Sequence, residues 1–334
     1  MDQKVVFVGP ERVEVQPCPR PEPQSGQILV RTTRTIISVG TEMTILHGQF
    51  TPGSYWDRWV KFPLTPGYMN CGIVEAVGTD VSGLCVGDRV ASEAGHASLA
   101  LVAASSATVV PDGVSDEQAA FARVGLITQV GIRAAEPKPG DQVVVIGTGL
   151  LGQLVVQYAR AMGAWKVIAV DSSATRLDLA RRLGATNVVC GTAEQAVPKI
   201  MDLTGGGADC VYDATGHPLV LAKALAMVRR FGTVVLLGDA AQTEGQSINQ
   251  ELLVRGVRLI GAHAHHPPAE SSDFNRWPVR RVQELFLWML GTGTMRVTEL
   301  ITHRFPAADA PAAYAMLCNN RQSAMGVVLE WSGT

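Results

Sequence analysis

Val143-Val144-Val145-Ile146-Gly147-Thr148-Gly149-Leu150-Leu151-Gly152 is an apolar run that ends in glycines at G-x-G-x-x-G spacing and leads straight into QLVVQYARAMGA. The β-branched run reads as a buried strand and the segment after it as an amphipathic helix. Each glycine has its own task. Gly147 permits a tight turn, Gly149 lets a pyrophosphate approach the backbone, and Gly152 lets helix and strand pack closely. A helix start offers unpaired N–H groups and the positive end of its dipole, so Gly147, Thr148, Gly149, Leu150, Leu151 and Gly152 form a candidate phosphate cradle. Glycine spacing alone is a weak signal; here a strand precedes it, a helix follows it, and an acid stands where a dinucleotide site needs one.

That acid is Asp171, 24 residues after Gly147 at the end of VIAVD. A carboxylate at this strand end accepts hydrogen bonds from both ribose hydroxyls of adenosine and repels a 2′-phosphate, so the expected cofactor is NAD(H) ahead of NADP(H). Asp171 is also a candidate helix cap, because SSATRLDLARRL follows it. Arg176 tempers the exclusion of a 2′-phosphate, although from its place on that helix it can simply stack on adenine.

Working outward, strand and helix alternate from about Val124 onward: VVVIG, VIAV, NVV, DCVYDAT, TVVLLG and LIGAH are separated by amphipathic stretches. Six such strands predict a doubly wound parallel sheet in an α/β fold. The first 120 residues instead read as short strands (KVVFV, RVEVQ, QILVRTTRTII, CGIVEAVG, DRVAS and SLALVAAS) with almost no helical periodicity, which suggests a small antiparallel barrel. Pro17–Pro23 reads as a surface connection. The tail beyond Ala262, with a helix at Val282–Leu290 and final strand GVVLEW, is too short for its own core and is expected to rejoin the barrel. The expected domains are therefore 1–123 with 265–334, and 124–264.

Composition agrees. A chain of 334 residues exceeds the ~250–300 at which one core stops growing. Its 47% hydrophobic and 17% charged residues exclude a disordered chain, and a net charge of -2 argues against nucleic-acid or membrane-surface partners. No apolar run reaches the ~18–20 residues of a membrane span, and MDQKVVFVGPERVEV lacks a signal-peptide layout. A soluble, cytoplasmic protein is expected. Its six cysteines show no zinc-knuckle spacing and read as small buried apolar side chains.

Over nearly its full length the chain resembles the medium-chain alcohol dehydrogenase/reductase superfamily. The matching marks are V-G-T-E at Val39–Glu42, PGYMNCGIVEAVG at Pro66–Gly78, GDRV at Gly87–Val90, the glycine loop, RLDLARRLGA, and LITHRFP at Leu300–Pro306. The resemblance implies a GroES-like, mostly-β barrel catalytic domain built from both chain ends, a Rossmann domain between them, and an NAD-dependent dehydrogenase. A homodimer or homotetramer is usual among similar proteins.

Most such alcohol dehydrogenases hold a catalytic zinc with a cysteine, a histidine and a third ligand before the Rossmann domain. The matching positions here are Val39, Tyr68 and Val124. Valine and tyrosine cannot supply the nitrogen and thiolate donors of a tetrahedral zinc site, and the four-cysteine structural lobe is missing, so no zinc is expected. Some other group must then take the proton that zinc chemistry would release.

Tyr68 is the first candidate, as a general acid whose pKa neighbours would lower, or else as a ring filling space. Thr41 matches a hydroxyl that relays protons in relatives, or it bonds the local turn. His96 has the right intrinsic pKa for a base, although a lone histidine is more often a structural one. Glu42 matches an acid that is more often a structural partner. The loops Gln49–Phe62 and His263–Arg281 are expected to build the substrate pocket, with Val39, Tyr55, Trp56, Val124, Asn275 and Arg276 as its candidates, or else a subunit contact. Thr128 and the backbone around Gly238 and His263 are expected near the nicotinamide.

The resulting expectation is a zinc-independent NAD(H) oxidoreductase that interconverts a secondary alcohol, such as a polyol, sugar or cyclic hydroxy metabolite, and a ketone. One rival is an enone- or quinone-type double-bond reductase; another is a silent NAD-binding sensor or scaffold.

Overall fold

The computed structural model describes residues 2–331. The chain divides into two units, Met1–Val124 with Pro267–Thr334, and Gly125–His266.

In the second unit, six parallel strands run in the order Asn187–Cys190, Lys166–Asp171, Gln142–Ile146, Ala208–Asp213, Val228–Leu236, Arg258–Gly261. The first in sequence is third in space, with later strands added on either side, which is the doubly wound order. Strands covered on both faces lose the in-out alternation, and Val143–Ile146 is buried throughout. Ile146, Ile168, Val170, Val211 and Val234 pack with Leu221, Leu225 and Ile200 of the flanking helices. Each fully buried aliphatic side chain of this kind contributes roughly 1.5–3 kcal/mol. The helices have local start and stop signals. The Ser173 hydroxyl accepts the Arg176 N–H ahead of Ala174–Arg182, Thr192 and Gln195 form a capping box ahead of Ala193–Thr204, and left-handed Gly205 ends the latter.

The first unit is organised around one long strand, Gln27–Ser38. It pairs with Asn70–Val77, Leu99–Ala103 and Gly326–Glu330, and the sheet continues outward through Arg89–Ser92 to Thr108–Val109 on one side and to Ile301–Pro306 on the other. Gln3–Gly9 and Arg12–Pro17 form a separate ribbon. The tail adds to this sheet, its strand lying beside residues almost three hundred positions earlier.

Every strand pairing within the first 120 residues is antiparallel. In the tail Ile301–Pro306 runs parallel to Gly326–Glu330, and the helix Ala310–Asn320 makes the crossover that such a pair requires. Two expectations need correction. The N-terminal segment is not free of helix. Val39–His47 continues directly from the long strand, buries Val39, Glu42, Met43, Ile45 and Leu46, and stops at left-handed Gly48; a short second helix spans Tyr55–Trp59. Neither has enough turns for its periodicity to stand out in sequence. Finally, burial holds for Cys71 and Cys210 only. Cys18 is half-buried, and Cys85, Cys190 and Cys318 are exposed.

Candidate functional site

The glycine loop of the second unit is built as its spacing demands. Gly147 has φ +84°, a Cβ on Gly152 would fall 1.9 Å from the Gly147 carbonyl oxygen, and nothing lies within 4 Å of where a Cβ of Gly149 would be. The third glycine is thus needed for packing, whereas the second leaves open backbone at the N-cap of helix Leu150–Ala161, where no side chain caps the helix. That is the surface a pyrophosphate requires.

Asp171 is tied to this loop. Its Oδ2 accepts the Thr148 N–H at 2.7 Å and the Thr148 hydroxyl at 2.9 Å, and Oδ1 accepts the Ser173 N–H at 2.8 Å. Thr148 is fully buried, and its side chain serves Asp171. Gln153, missed in the sequence, donates from Nε2 to the Thr148 carbonyl at 3.1 Å and to the Arg176 carbonyl at 2.8 Å. It staples the loop to the helix that carries Arg176. The signal was a glutamine inside an otherwise apolar helix face. Gly238 packs against the turn after Ala208–Asp213, where a Cβ would come 2.2 Å from the Gly216 nitrogen. Thr128 is fully buried, while His263 is exposed with its ring against His265 and His266. The donors of this loop and the carboxylate beside it fit a dinucleotide.

In the first unit the V-G-T-E segment and Tyr68 come together. The Tyr68 hydroxyl lies 2.6 Å from Ser38 Oγ and 3.4 Å from Thr41 Oγ1, the second contact being long for an O–H···O bond. Burial raises the Tyr68 pKa and the nearby Glu42 carboxylate adds to this, against the opposing effects of Ser38, Thr41 and Arg123. The expected lowering is therefore corrected: at neutral pH Tyr68 keeps its proton and is a donor.

His96 and Glu42 are fully buried and face each other, His96 Nε2 to Glu42 Oε2 at 3.0 Å. Glu42 Oε1 accepts the Ser38 N–H at 2.7 Å, and Oε2 also accepts the Tyr314 hydroxyl. His96 Nδ1 meets Thr35 Oγ1 at 2.8 Å, and Thr35 accepts Trp331 Nε1–H at 3.0 Å. One assignment gives every group a partner: Trp331 donates to Thr35, the Thr35 hydroxyl to His96 Nδ1, and His96 Nε2–H to Glu42. Both ring nitrogens are then engaged, so the expected role of His96 as a base is corrected to a supporting one. Ser38, Thr35, Tyr314 and Trp331 went unnoticed in the sequence; Ser38 stands one residue before the quoted run, and the last two are far from it in sequence. Arg123, a buried cation, was missed as well.

The expected pocket residues separate. Val39, Trp56 and Val124 are buried, whereas Tyr55 is 54% exposed and stacks on Trp59. Asn275 Oδ1 accepts the Trp277 N–H, and the Arg276 carbonyl accepts Nη1–H of Arg281 from the helix that follows, Val279–Gly291.

A family profile described as "Alcohol dehydrogenase GroES-like domain" matches residues 24–122, and one described as "Zinc-binding dehydrogenase" matches residues 151–278. D-guloside 3-dehydrogenase of Shigella flexneri is 30% identical over 259 residues, which cover 76% of this chain and 73% of that protein. An alcohol dehydrogenase of Geobacillus stearothermophilus is 30% identical over 282 residues, covering 75% and 81%. A solved mycobacterial quinone oxidoreductase is 27% identical, with a TM-score of 0.81 over 99% of this chain and 100% of that one. The chain belongs to the medium-chain alcohol dehydrogenase/reductase superfamily. Within it, the protein is a medium-chain dehydrogenase, an oxidoreductase of the alcohol/ketone type.

Zinc, which the second profile's description raises, does not fit the donors present. Val39 and Val124 offer no ligand atom, the Tyr68 hydroxyl is bonded to Ser38, and among the described residues no group of three or more His, Cys, Asp or Glu is placed to hold a metal ion. No helix among the described residues is long and apolar enough to cross a membrane.

Proposed function

We propose that the protein is a zinc-independent, NAD(H)-preferring dehydrogenase that interconverts a secondary alcohol and a ketone on a polyol, sugar or cyclic hydroxy metabolite, with Tyr68 handling the proton. The observation that carries this reading is the 2.6 Å bond between the Tyr68 hydroxyl and Ser38 Oγ, at a position that the family resemblance matches to a metal ligand. Its support from relatives is the guloside and sorbitol dehydrogenases among them.

A bound nicotinamide supplies or accepts the hydride. This chain's residues do the remainder. Asp171 receives the adenosine ribose and disfavours a 2′-phosphate. Tyr68, kept protonated by its surroundings, gives its proton to the carbonyl oxygen as the ketone is reduced, and Ser38 holds the hydroxyl in line. In the reverse direction the Tyr68 phenolate takes the alcohol proton. Glu42 and His96 keep Ser38 in place.

A double-bond reductase is the second reading, favoured by the likeness to the quinone oxidoreductase. Metal analysis of the purified protein, combined with NAD+ reduction across alcohols and sugars and NADH oxidation across ketones and enones, tests both. Turnover of enones but not ketones sinks the dehydrogenase reading, and stoichiometric zinc needed for turnover sinks its metal-free chemistry.

A further inference from the structure

Arg123 is only 5% exposed, an unusual setting for a guanidinium. Among the described residues the carboxylate that pairs with it is Glu93, Nη2 to Oε2 at 2.8 Å, and Glu93 is itself 39% exposed. The sheet brings this pair to the Tyr68 segment. Ser92 pairs in register with Asn70, so Glu93, one residue further, runs alongside the residues just before Asn70. The His96 N–H then donates to the Pro66 carbonyl at 2.8 Å, which stitches the two segments together on the far side of Tyr68. The charge of Arg123 is felt at the Tyr68 hydroxyl, where it favours the ionised phenol against burial and against Glu42.

A fixed cation beside a proton-handling oxygen does electrostatically what a metal does: it lowers the energy of negative charge on that oxygen, and more so where water is excluded. We infer that Arg123 is a positioning residue that supplies the fixed positive charge of the Tyr68 site, and that Glu93 sets how much of that charge Tyr68 feels.

The inference rests on the proposed reaction, and its step balances. As the carbonyl carbon takes up hydride from the reduced dinucleotide, the C=O π pair moves to oxygen. The Tyr68 O–H bond breaks and its proton passes to that oxygen. The phenolate pair left on Tyr68 is stabilised by the charge of Arg123 until a solvent proton returns by way of the Ser38 hydroxyl. The groups bearing on this oxygen are Ser38, Thr41 and Arg123, which favour its negative charge, and Glu42, which opposes it.

The test needs no substrate. Full-length protein labelled with 13C at tyrosine Cζ is titrated by NMR, the Tyr68 signal being the one of five tyrosines lost in Tyr68→Phe. Glu93→Gln removes the countercharge, so Tyr68 should ionise at lower pH than in the wild type. Arg123→Met should move ionisation to higher pH or beyond reach, and Arg123→Lys should stay near the wild type. Shifts of the same sign in Glu93→Gln and Arg123→Met would overturn the inference. So would no downward shift in Glu93→Gln, which alone decides the matter if Arg123→Met does not fold. Because the signal is read without turnover, a failed search for an alcohol substrate would count against the proposed reaction and not against Arg123.

Discussion

Glu42 Oε1 holds the backbone N–H of Ser38 at 2.7 Å, at the point where the long strand Gln27–Ser38 turns into the helix Val39–His47. The other carboxylate oxygen receives His96 and Tyr314, so one buried acid fixes three elements. Glu42→Ala leaves all three donors buried without a partner, and the expected loss is about 4 kcal/mol in urea unfolding. A loss below about 1 kcal/mol would show that the network rearranges freely.

Tyr68→Phe removes the proton donor and keeps the ring. Ketone reduction should fall roughly 10²–10⁴-fold in kcat, with NADH affinity unchanged. Ser38→Ala removes one bond to that hydroxyl and should cost about tenfold. Equal, small losses in both would return Tyr68 to a space-filling role.

Because the Tyr68 pKa is raised, its proton donor is fully present through neutral pH. Ketone reduction is therefore expected to be level from mildly acidic to neutral pH, falling only once Tyr68 ionises in the alkaline range. Alcohol oxidation, which needs the phenolate, should keep rising with pH over that range. Rate profiles in both directions check the sign, and an oxidation rate that levels off below neutrality contradicts it.

Gly149→Ala and Gly152→Ala should separate binding from folding. Open space at Gly149 predicts an unchanged melting temperature with NADH binding weakened about tenfold or more, since an added methyl occupies the phosphate surface. The 1.9 Å approach at Gly152 predicts a loss of about 3 kcal/mol in stability. Calorimetry and NADH fluorescence read the two outcomes.

Stability should also decline in alkali. Burial pushes the Cys210 thiol from the ordinary 9.0 up to about 12. The folded state then binds a proton that the unfolded chain releases, so this stabilisation is whole below pH 9.0 and disappears as pH rises through about 12. Buried Tyr212 and Tyr314, both raised well above their ordinary value, add to the same slope. Cys210→Ala should flatten the fall of the urea midpoint in this range.

The parallel sheet and its glycine loop were legible because their signals are local. Val143–Ile146, the three glycines and Asp171 lie within 29 residues, each demanding a particular backbone. The proton-handling site was half legible. Tyr68 stood out by departing from a family pattern and Thr41 by matching one, but His96 could not be told from a base, because its partners Thr35 and Glu42 lie 61 and 54 residues away. The helix Val39–His47 was hidden because burial against the sheet, rather than its own periodicity, holds it.

Trp331 bonds to Thr35 across 296 residues, and Gly326–Glu330 completes the strand ladder beside Gln27–Ser38. During synthesis, therefore, the nucleotide sheet of residues 125–266 has all its strands while the other unit still lacks its C-terminal ones. A nascent chain arrested before Trp331 would leave Thr35, and through it His96, without the indole that closes their bonding. Maturation of the half that holds Tyr68 is thereby tied to translation through Trp331, and a ribosome-bound chain stopped short of that residue should bind NADH before it can turn over any substrate.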